Sequence, residues 1–446
     1  MIKPKNIPVI FRMPPDRELT PERLSKYISE HKQIVTTRLR FLKDAYENEY
    51  DIYHQKAKAL YKPDNRVGVN FARYIVDTMN GYFIGNPIRI TSDDQSVNDY
   101  INTLNIYNDI DDSNAEICKL ADIFGNAYEI YYLDSNNKIG ITYVSPIESF
   151  MIYDDSIVER PLYFVRYYTD EDNNELGSVS NAFGVRHFSC SGGLRYTDDD
   201  WLPHGFQELP ASELLENAER QGLFESVLPA INAYNKALSE KANDVDYFAD
   251  TYLKVIGARV ERDDIQFIRD TRIVNFGDEA EGAGISVEFM DKPSADTTQE
   301  NLINRLEKAI FQSSMVCNIS DDNFATSSGI ALKFKLQPMN NLAKAKERKF
   351  ISLLNRRYRV IMGHTLSPIP AESWLGLRYK MSFDIPANVS DEASIAKTLE
   401  GIVSKETQLS VLSVVENVKD EMDRLEDEAQ EAAGFLDGQD HDEDLG

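Results

Sequence analysis

The sequence predicts an α+β fold with a mixed α/β region and several long helices. Apolar residues recur at helical spacing over much of residues 20–124 and again after residue 226, whereas parts of 126–189 alternate with the period of a strand. The chain has 446 residues, of which 42% are hydrophobic and 27% charged. That length suffices for two or three domains with real cores.

The first half of the chain is predicted to form one mixed α/β domain. Thr20 is a good N-cap and Pro21 suits the first helical position, so the first helix should start there and run to about Tyr50. A second helix should end at Gly85, which Pro87 follows closely. The helices are predicted over about 20–50, 71–85 and 109–124, and the strands over 127–134, 139–146, 161–170 and 185–189.

The middle of the chain contains two amphipathic helices on either side of a segment with strand character and glycine-rich turns. The helices are predicted over about 231–254 and 297–315, with Asp296 as a cap for the second. At 1.5 Å per residue, each would span about 30–36 Å. One interpretation is a pair of struts that carries a small β-containing module. The other is a simple α+β domain with an inserted hairpin, and periodicity leaves both open.

A long basic helix follows a loop of small polar residues. Its apolar pattern begins at Ile330 and predicts about 30 helical residues, or roughly 45 Å. Pro338 lacks an amide hydrogen, so the helix should kink there unless it breaks in two. Between residues 331 and 360, Glu347 is the one acid. The same stretch has nine basic residues: Lys333, Lys335, Lys344, Lys346, Arg348, Lys349, Arg356, Arg357 and Arg359.

Charge and cysteine usage exclude several classes of protein. The 48 basic and 74 acidic residues give a net charge of −26, which argues against a protein that coats nucleic acid but not against one that lets DNA pass. Cys118, Cys190 and Cys317 are too far apart for a C-x-x-C pair, so we expect no disulfide framework and synthesis in a reducing cytosol. The sequence shows no signal peptide and no membrane span, so we expect no membrane association.

The sequence offers no specific catalytic, cofactor-binding or metal-binding motif. It has no P-loop, and Gly282 with Gly284 does not make a dinucleotide fingerprint. His187 and Cys190 are a weak metal pair, for which a structural role is favoured. The acidic pairs and triplet at Asp93, Asp111, Asp154 and Asp198 are better explained as solvated turns. We therefore expect no enzyme and no cofactor.

Four blocks of sequence, taken together and in this order, carry a resemblance to a known family. They are residues 65–90 (NRVGVNFARYIVDTMNGYFIGNPIRI), 235–257 (NKALSEKANDVDYFADTYLKVIG), 327–336 (SSGIALKFKL) and 385–412 (IPANVSDEASIAKTLEGIVSKETQLSVL). With these blocks the chain resembles the portal proteins of long-tailed bacteriophages, particularly those of phages that infect Gram-positive hosts.

The resemblance implies a homo-oligomeric ring, usually of twelve subunits, at one vertex of the capsid. Double-stranded DNA would pass through its channel without sequence preference. The implied partners are the terminase large subunit, the major capsid and scaffolding proteins and a head-completion adaptor. The protein would be made in the host cytoplasm and end in the virion. Two alternatives stay open at this point: another head or head–tail connector protein, and a soluble enzyme with a spatially assembled site.

The resemblance also divides the chain into functional regions. Residues 1–225 and 364–389 would form the wing, 226–254 and 294–316 the stem helices, and 255–293 a small α/β clip. The remaining regions would be a tunnel loop at 317–329, the long kinked helix at 330–363, crown helices at 390–433 and a disordered acidic tail at 434–446.

Candidate site residues follow from this division. The DNA-channel loop would consist of Asp321, Asp322, Asn323, Phe324, Ala325, Thr326, Ser327 and Ser328. The partner-binding residues of the clip would be Arg259, Arg262, Asp263, Asp264, Arg269 and Asp270. Lys333 and Lys335 could contact phosphates, and Pro338 would supply the kink. Most of the other seven basic residues of the long helix are expected to pair with acids of neighbouring subunits.

Overall fold

A computed structural model describes residues 10–59, 62–249, 253–256, 286–289, 296–319, 329–383 and 389–412, together with 414–415, 418–419 and 421–428. The described chain combines helices with β-sheets, as the sequence predicts. It divides into two units, of which the first contains residues 1–317 and 338–382 and the second contains 318–337 and 383–446.

The first helical segment begins where the sequence predicts and ends earlier. The Thr20 side chain accepts a hydrogen bond from the Arg23 amide at 3.4 Å, which caps α1 (Pro21–Ile34). A π-helical turn, Val35–Leu39, then leads into α2 (Arg40–Tyr46). The helix ends at Tyr46, because Asn48 adopts a positive φ of 71° that a right-handed helix does not allow.

Three more helices precede strand β3 (Asn126–Leu133). Two were predicted, α3 (Phe71–Ile84) and α5 (Ile110–Phe124). Between them, α4 (Gln95–Tyr107) is an addition to the prediction, capped by Asp94, whose carboxylate accepts the Ser96 amide at 2.9 Å. At the end of α5, Gly125 has a φ of 89°, and a Cβ there would lie 2.1 Å from the Arg220 carbonyl oxygen. This turn therefore requires glycine.

The strands of the first half form a seven-stranded and a three-stranded sheet. The large sheet has the order β1-β5-β6-β7-β8-β10, with β9 paired to β8, and the small sheet has the order β11-β3-β4. β1 pairs with β5 in parallel, whereas the other pairs are antiparallel. The bounds are β1 Phe11–Met13, β2 Arg89–Thr91, β3 Asn126–Leu133, β4 Ile139–Val144, β5 Ser149–Asp154, β6 Pro161–Thr169, β7 Glu175–Ser180, β8 Gly184–Ser189, β9 Arg195–Tyr196, β10 Leu202–Pro203 and β11 Ala211–Leu215.

Strand β5 is buried on both faces and joins two hydrophobic clusters. Phe150 and Ile152 pack with Leu24 and Ile28 of α1. Met151, which lies between them in the sequence, packs instead with Tyr128 and other residues of the small sheet. Because successive side chains of a strand point to opposite faces, β5 forms the middle layer between α1 and the small sheet.

The two strut helices and the strands between them are present. The first strut helix is Leu228–Ala249, and the second is Asp296–Ser314. Lys254 was predicted at the end of the first helix but lies in strand β12 (Leu253–Ile256), which pairs antiparallel with β13 (Ser286–Phe289). A hydrogen bond of 2.7 Å from the Gln299 side chain to the Asp244 carboxylate joins the struts.

The long basic helix, Gly329–Met362, is continuous across Pro338, so the predicted alternative of two separate helices is wrong. The boundary between the two units crosses this helix between Gln337 and Pro338. After it, β14 (Arg378–Lys380) pairs with β2 within the first unit. The second unit contains the helices Val389–Thr398 and Lys405–Leu409, and residues 421–428 are also helical.

Candidate functional site

The part of the basic helix that follows Pro338 buries several of its charges within its own chain. Lys346 has a side chain only 4% exposed. Its ammonium group contacts the carboxylate of Asp122 on α5, and it donates to Oε2 of Glu216, next to β11, at 2.8 Å. Both carboxylates are as buried as the lysine, at 0% and 3% side-chain exposure. One ammonium group therefore serves two buried acids.

Burial shifts the pKa values of this cluster. It raises the pKa of Asp122 well above its usual value; the Lys346 ammonium group opposes this shift, and the neighbouring Glu216 adds to it. Burial also disfavours the charged amine of Lys346, but the two carboxylates outweigh it, so the pKa of the lysine is raised. Lys346 is therefore charged, and Asp122 is the carboxyl group of the cluster whose neutral form burial favours.

Arg357 forms a second buried cluster three turns further along the helix. It is fully buried, and its guanidinium group donates to both carboxylate oxygens of Glu129 on β3, at 2.9 and 2.6 Å. It also donates to the Asn114 side chain at 2.7 Å. The Tyr131 hydroxyl donates to the same glutamate at 2.8 Å. This bidentate geometry is the strong form of an arginine–carboxylate contact, and it ties the helix to the small sheet.

Two further arginines of the helix bind the segment that leads into β11. Arg356 donates to the carbonyl oxygen of Ala211 at 3.0 Å and to that of Leu209 at 3.3 Å. Arg359 donates to the Glu208 carboxylate at 2.8 Å. Each contact joins residues more than 140 positions apart in one chain. The basic helix therefore has an internal structural function.

These contacts correct part of the sequence-based expectation. Four of the seven basic residues expected to face neighbouring subunits bind groups of their own chain: Lys346, Arg356, Arg357 and Arg359. The reason is that the helix packs on elements that carry buried acids, and a buried carboxylate requires a partner. Lys344 and Arg348 are exposed and Lys349 is half-buried, so for these three the expectation stays a prediction.

A second arrangement joins the first strut helix to the extended segment 65–69, which we call the strap. The helix presents Asn235, Ser239 and Asn243 at four-residue intervals, all buried. Their side-chain oxygens accept the backbone N–H groups of alternate strap residues. These donors, at 2.9, 2.9 and 2.6 Å respectively, are Val69, Val67 and Asn65.

The spacing of the two partners explains this pairing. Four residues of helix rise about 6.0 Å, and two residues of extended chain rise about 6.6 Å. The acceptors on the helix and the donors on the strap therefore stay opposite each other over all three hydrogen bonds. Gly68 lies against Tyr53, and a Cβ at this position would fall 2.3 Å from the tyrosine hydroxyl oxygen. The strap thus obtains strand-like hydrogen bonds from the side chains of a helix.

Some of the predicted site residues lie within the described part of the chain and others lie outside it. The channel loop, Asp321–Ser328, and the clip residues, Arg259, Arg262, Asp263, Asp264, Arg269 and Asp270, lie outside the described residues. Lys333 and Lys335 are exposed on the first turns of the basic helix, within the second unit. Pro338 is also exposed and is the first residue of the helix that belongs to the first unit.

The motifs considered for metal or acid chemistry have structural partners. His187 lies 2.8 Å from the Asp198 carboxylate, and Asp154 accepts the amide of Arg160 at 2.8 Å and so organises a turn. Asp154 is itself buried, which corrects its interpretation as a solvated turn residue. Over the ranges that the structure describes, no cluster of three or more histidine, cysteine or acidic side chains is arranged to hold a metal ion. Within the same ranges, no helix combines the length and apolar character that a bilayer crossing requires.

Comparisons with known proteins agree with the resemblance seen in the sequence. The family described as "Phage portal protein, SPP1 Gp6-like" matches residues 24–434. A portal protein of Clostridium phage phiCD119 is 20% identical over 396 residues, which cover 81% of this chain and 86% of the relative. Among solved structures, a chain from the neck of an empty GTA particle, computed with C6 symmetry, covers 77% of this chain and 90% of its own length. It has 11% identity and a TM-score of 0.44.

The family match carries the assignment, because it extends over most of the chain and includes all four blocks that carry the resemblance, residues 65–90, 235–257, 327–336 and 385–412. The chain belongs to the SPP1 Gp6-like family of phage portal proteins, which is a structural family, and it is not an enzyme.

Proposed function

We propose that this chain forms a ring, of twelve subunits in the virion, at one vertex of the capsid. The ring conducts double-stranded DNA without sequence preference during packaging and ejection. It docks the terminase large subunit and later a head-completion adaptor, and it contacts the major capsid and scaffolding proteins. The observation that carries the proposal is the family match over residues 24–434.

The regions of the chain have distinct roles in this proposal. Residues 1–225 and 364–389 form the wing, and the pairing of β14 with β2 supports placing both parts in one region. The strut helices form the stem, which is consistent with the direct contact between Gln299 and Asp244. Residues 255–293 form the clip, whose described portion is the end of β12, residues 255–256, and the strand β13 paired with it. Residues 390–433 form the crown and 434–446 an acidic tail.

Residues 321–328 act as the tunnel loop, and Pro338 sets the direction of the helix that follows it. Pro338 lies inside the continuous helix, and a proline there removes a backbone hydrogen bond and crowds the preceding turn, which supports a bend at this position. Replacing Pro338 by Ala restores an amide donor and relaxes the bend. We expect rings of normal size with a displaced loop and reduced packaging, measured as DNA protected from nuclease inside particles. A ring structure with residues 321–328 on the outer surface would contradict this role.

The exposed lysines Lys333 and Lys335 follow this loop and contact passing phosphates in the proposal. Each phosphate contact adds affinity through the release of counterions, so a conduit tolerates few of them. Replacing both lysines by Gln should leave rings intact and change the salt dependence of packaging. Lys344, on the same helix but beyond the unit boundary, provides a matched control.

The clip is the docking site for the terminase. Its charged residues are tested by the reversals Arg262→Glu and Arg269→Glu, which should leave rings intact and impair DNA packaging. Loss of the ring in these variants would assign residues 255–293 to contacts between subunits instead.

Purified protein viewed by negative-stain microscopy, with native mass spectrometry for the subunit count, tests the assembly itself. We expect rings with a central hole and twelve subunits when rings form within particles. A monomer at every concentration, with no ring in the presence of the scaffolding protein, would overturn the proposed function.

A further inference from the structure

Two tight turns lie at the same end of the seven-stranded sheet. One connects β5 to β6 and the other connects β7 to β8. The register Phe164↔Ser180 places the end of β7 beside the start of β6, so both turns leave the sheet at one end. β10 reaches the same place, because Leu202 pairs with Val185 at the start of β8. With strands about 4.8 Å apart, the turns lie roughly 10 Å from each other across the sheet.

Each turn displays large apolar side chains to solvent. In the first turn Ile157 is fully exposed and Val158 is 65% exposed. In the second turn Phe183 is 81% exposed, and beside it Leu202 on β10 is 46% exposed. We call these four residues the apolar tips. Scattered exposed apolar residues are ordinary, but four at one end of a sheet form a patch.

Side-chain hydrogen bonds span both turns and restrict the backbone that carries the tips. The buried carboxylate of Asp154 accepts the amides of Ser156 and Arg160, at 3.2 and 2.8 Å, across the first turn. The Asn181 side chain accepts the amides of Phe183 and Gly184, at 2.8 and 2.9 Å, across the second. Apolar anchors on a restricted backbone lose less conformational entropy on binding, as is typical of interaction hot spots.

We infer that the apolar tips anchor the ring to a protein shell of different sequence, by insertion into apolar sockets with basic rims. The inference rests on the proposed function, which supplies a shell around the ring. Two observations favour this occupant over a second copy of the chain. The first is charge: Arg12 is paired with Glu159 of the first turn, and the other exposed charges beside the tips are Asp155, Asp199 and Asp200 against Arg160. The whole chain carries −26, so a basic rim complements it.

The second observation is area. Four exposed side chains offer a patch on the order of 300–600 Å², below the roughly 800 Å² per partner of a stable protein–protein interface. Such a patch does not hold two free molecules together. Repeated around a ring, however, the same contact gains from multivalency, because each bound subunit raises the effective concentration for the next. A repeating protein shell is a partner that offers many sockets at once.

The test is incorporation into shells in cells that co-express this chain with the shell and scaffolding proteins of the same phage. The double variant Ile157→Ser with Phe183→Ser removes two anchors, and Ile106→Ser, at a position 79% exposed on α4, is the matched control. The substituted side chains are exposed, so the unfolding temperature should stay unchanged. We expect rings at wild-type yield for all three proteins and at least tenfold fewer copies of the double variant per purified shell.

The outcomes separate this inference from the proposed function. Wild-type incorporation of the double variant would overturn the inference, and loss of its rings would assign the tips to contacts between copies. Failure of the wild type and of Ile106→Ser to enter shells would refute the proposed function, and the inference with it. The charge argument has its own variant: Asp155→Lys with Asp200→Lys should form rings and enter shells several-fold less, and unchanged incorporation would show that the rim is not basic.

Discussion

Replacing Lys346 by Met removes the one cation that two buried carboxylates share. Breaking a buried ion pair by deleting one partner costs about 3–5 kcal/mol, because the remaining charge stays buried without compensation. Burial raises the pKa of Asp122 and so favours its neutral form, which limits the uncompensated charge, and the lower end of this range applies. About 3 kcal/mol corresponds to a fall in the unfolding temperature on the order of 5 °C for a unit of this size.

Lys344→Met is the matched control, since Lys344 lies on the same helix two residues earlier and is exposed. It should change stability by less than about 0.5 kcal/mol. Both variants are measured by thermal unfolding at one protein concentration and in one oligomeric state, because assembly itself shifts the unfolding temperature. The triple variant Lys346→Met, Asp122→Asn, Glu216→Gln should regain most of the loss, because a neutral cluster leaves no unpaired charge. Equal losses for both methionine variants, or no recovery in the triple variant, would refute the reasoning.

Three further predictions concern protonation and the strap. Burial raises the folded pKa of Asp122 above 3.8, so this group's contribution to stability is present below pH 3.8 and is lost as the pH rises through the folded pKa. The unfolding temperature, measured between pH 4 and 8, should therefore include a fall with rising pH that Asp122→Asn removes. Burial lowers the pKa of His31 from 6.5 to about 4, so stability should fall as the pH drops from 6.5 to 4, and His31→Phe should lack this loss in the same assay. Asn243→Leu deprives the Asn65 amide of its acceptor, so hydrogen exchange at Asn65 should accelerate about fivefold, whereas the exposed Lys236→Ala should leave it unchanged.

Local signals in the sequence predicted many elements of this fold. The Thr20 cap, the hairpin of β3 and β4, both struts and the long helix each depend on residues close together in the chain. The seven-stranded sheet was not predicted as a unit, since its order joins β1 to β5 across more than 130 residues. The helix α4 was missed although Val97, Ile101 and Leu104 carry its apolar face.

The internal function of the basic helix was also missed. Its basic residues were expected to pair with neighbouring subunits because the whole chain is acidic. The acids that they bind lie more than 120 residues away in the same chain. A signal was nevertheless present: Asp122 and Glu129 stand in apolar stretches of α5 and β3, where a carboxylate requires a buried cation. Which lysine or arginine pairs with which acid depends on tertiary packing. The family assignment did not depend on this detail, because it rests on the order of blocks along the whole chain.

The strap should tolerate changes of side chain but not the loss of a main-chain N–H donor. The first strut helix recognises Asn65, Val67 and Val69 through their main-chain amides, so most substitutions at these positions preserve the three bonds to the helix. Proline at any of the three removes a donor, whereas a side chain at position 68 requires the hydroxyl end of Tyr53 to shift. A library of single substitutions over residues 65–69 should therefore be broadly permissive, with its strongest intolerance at proline in the three alternate positions.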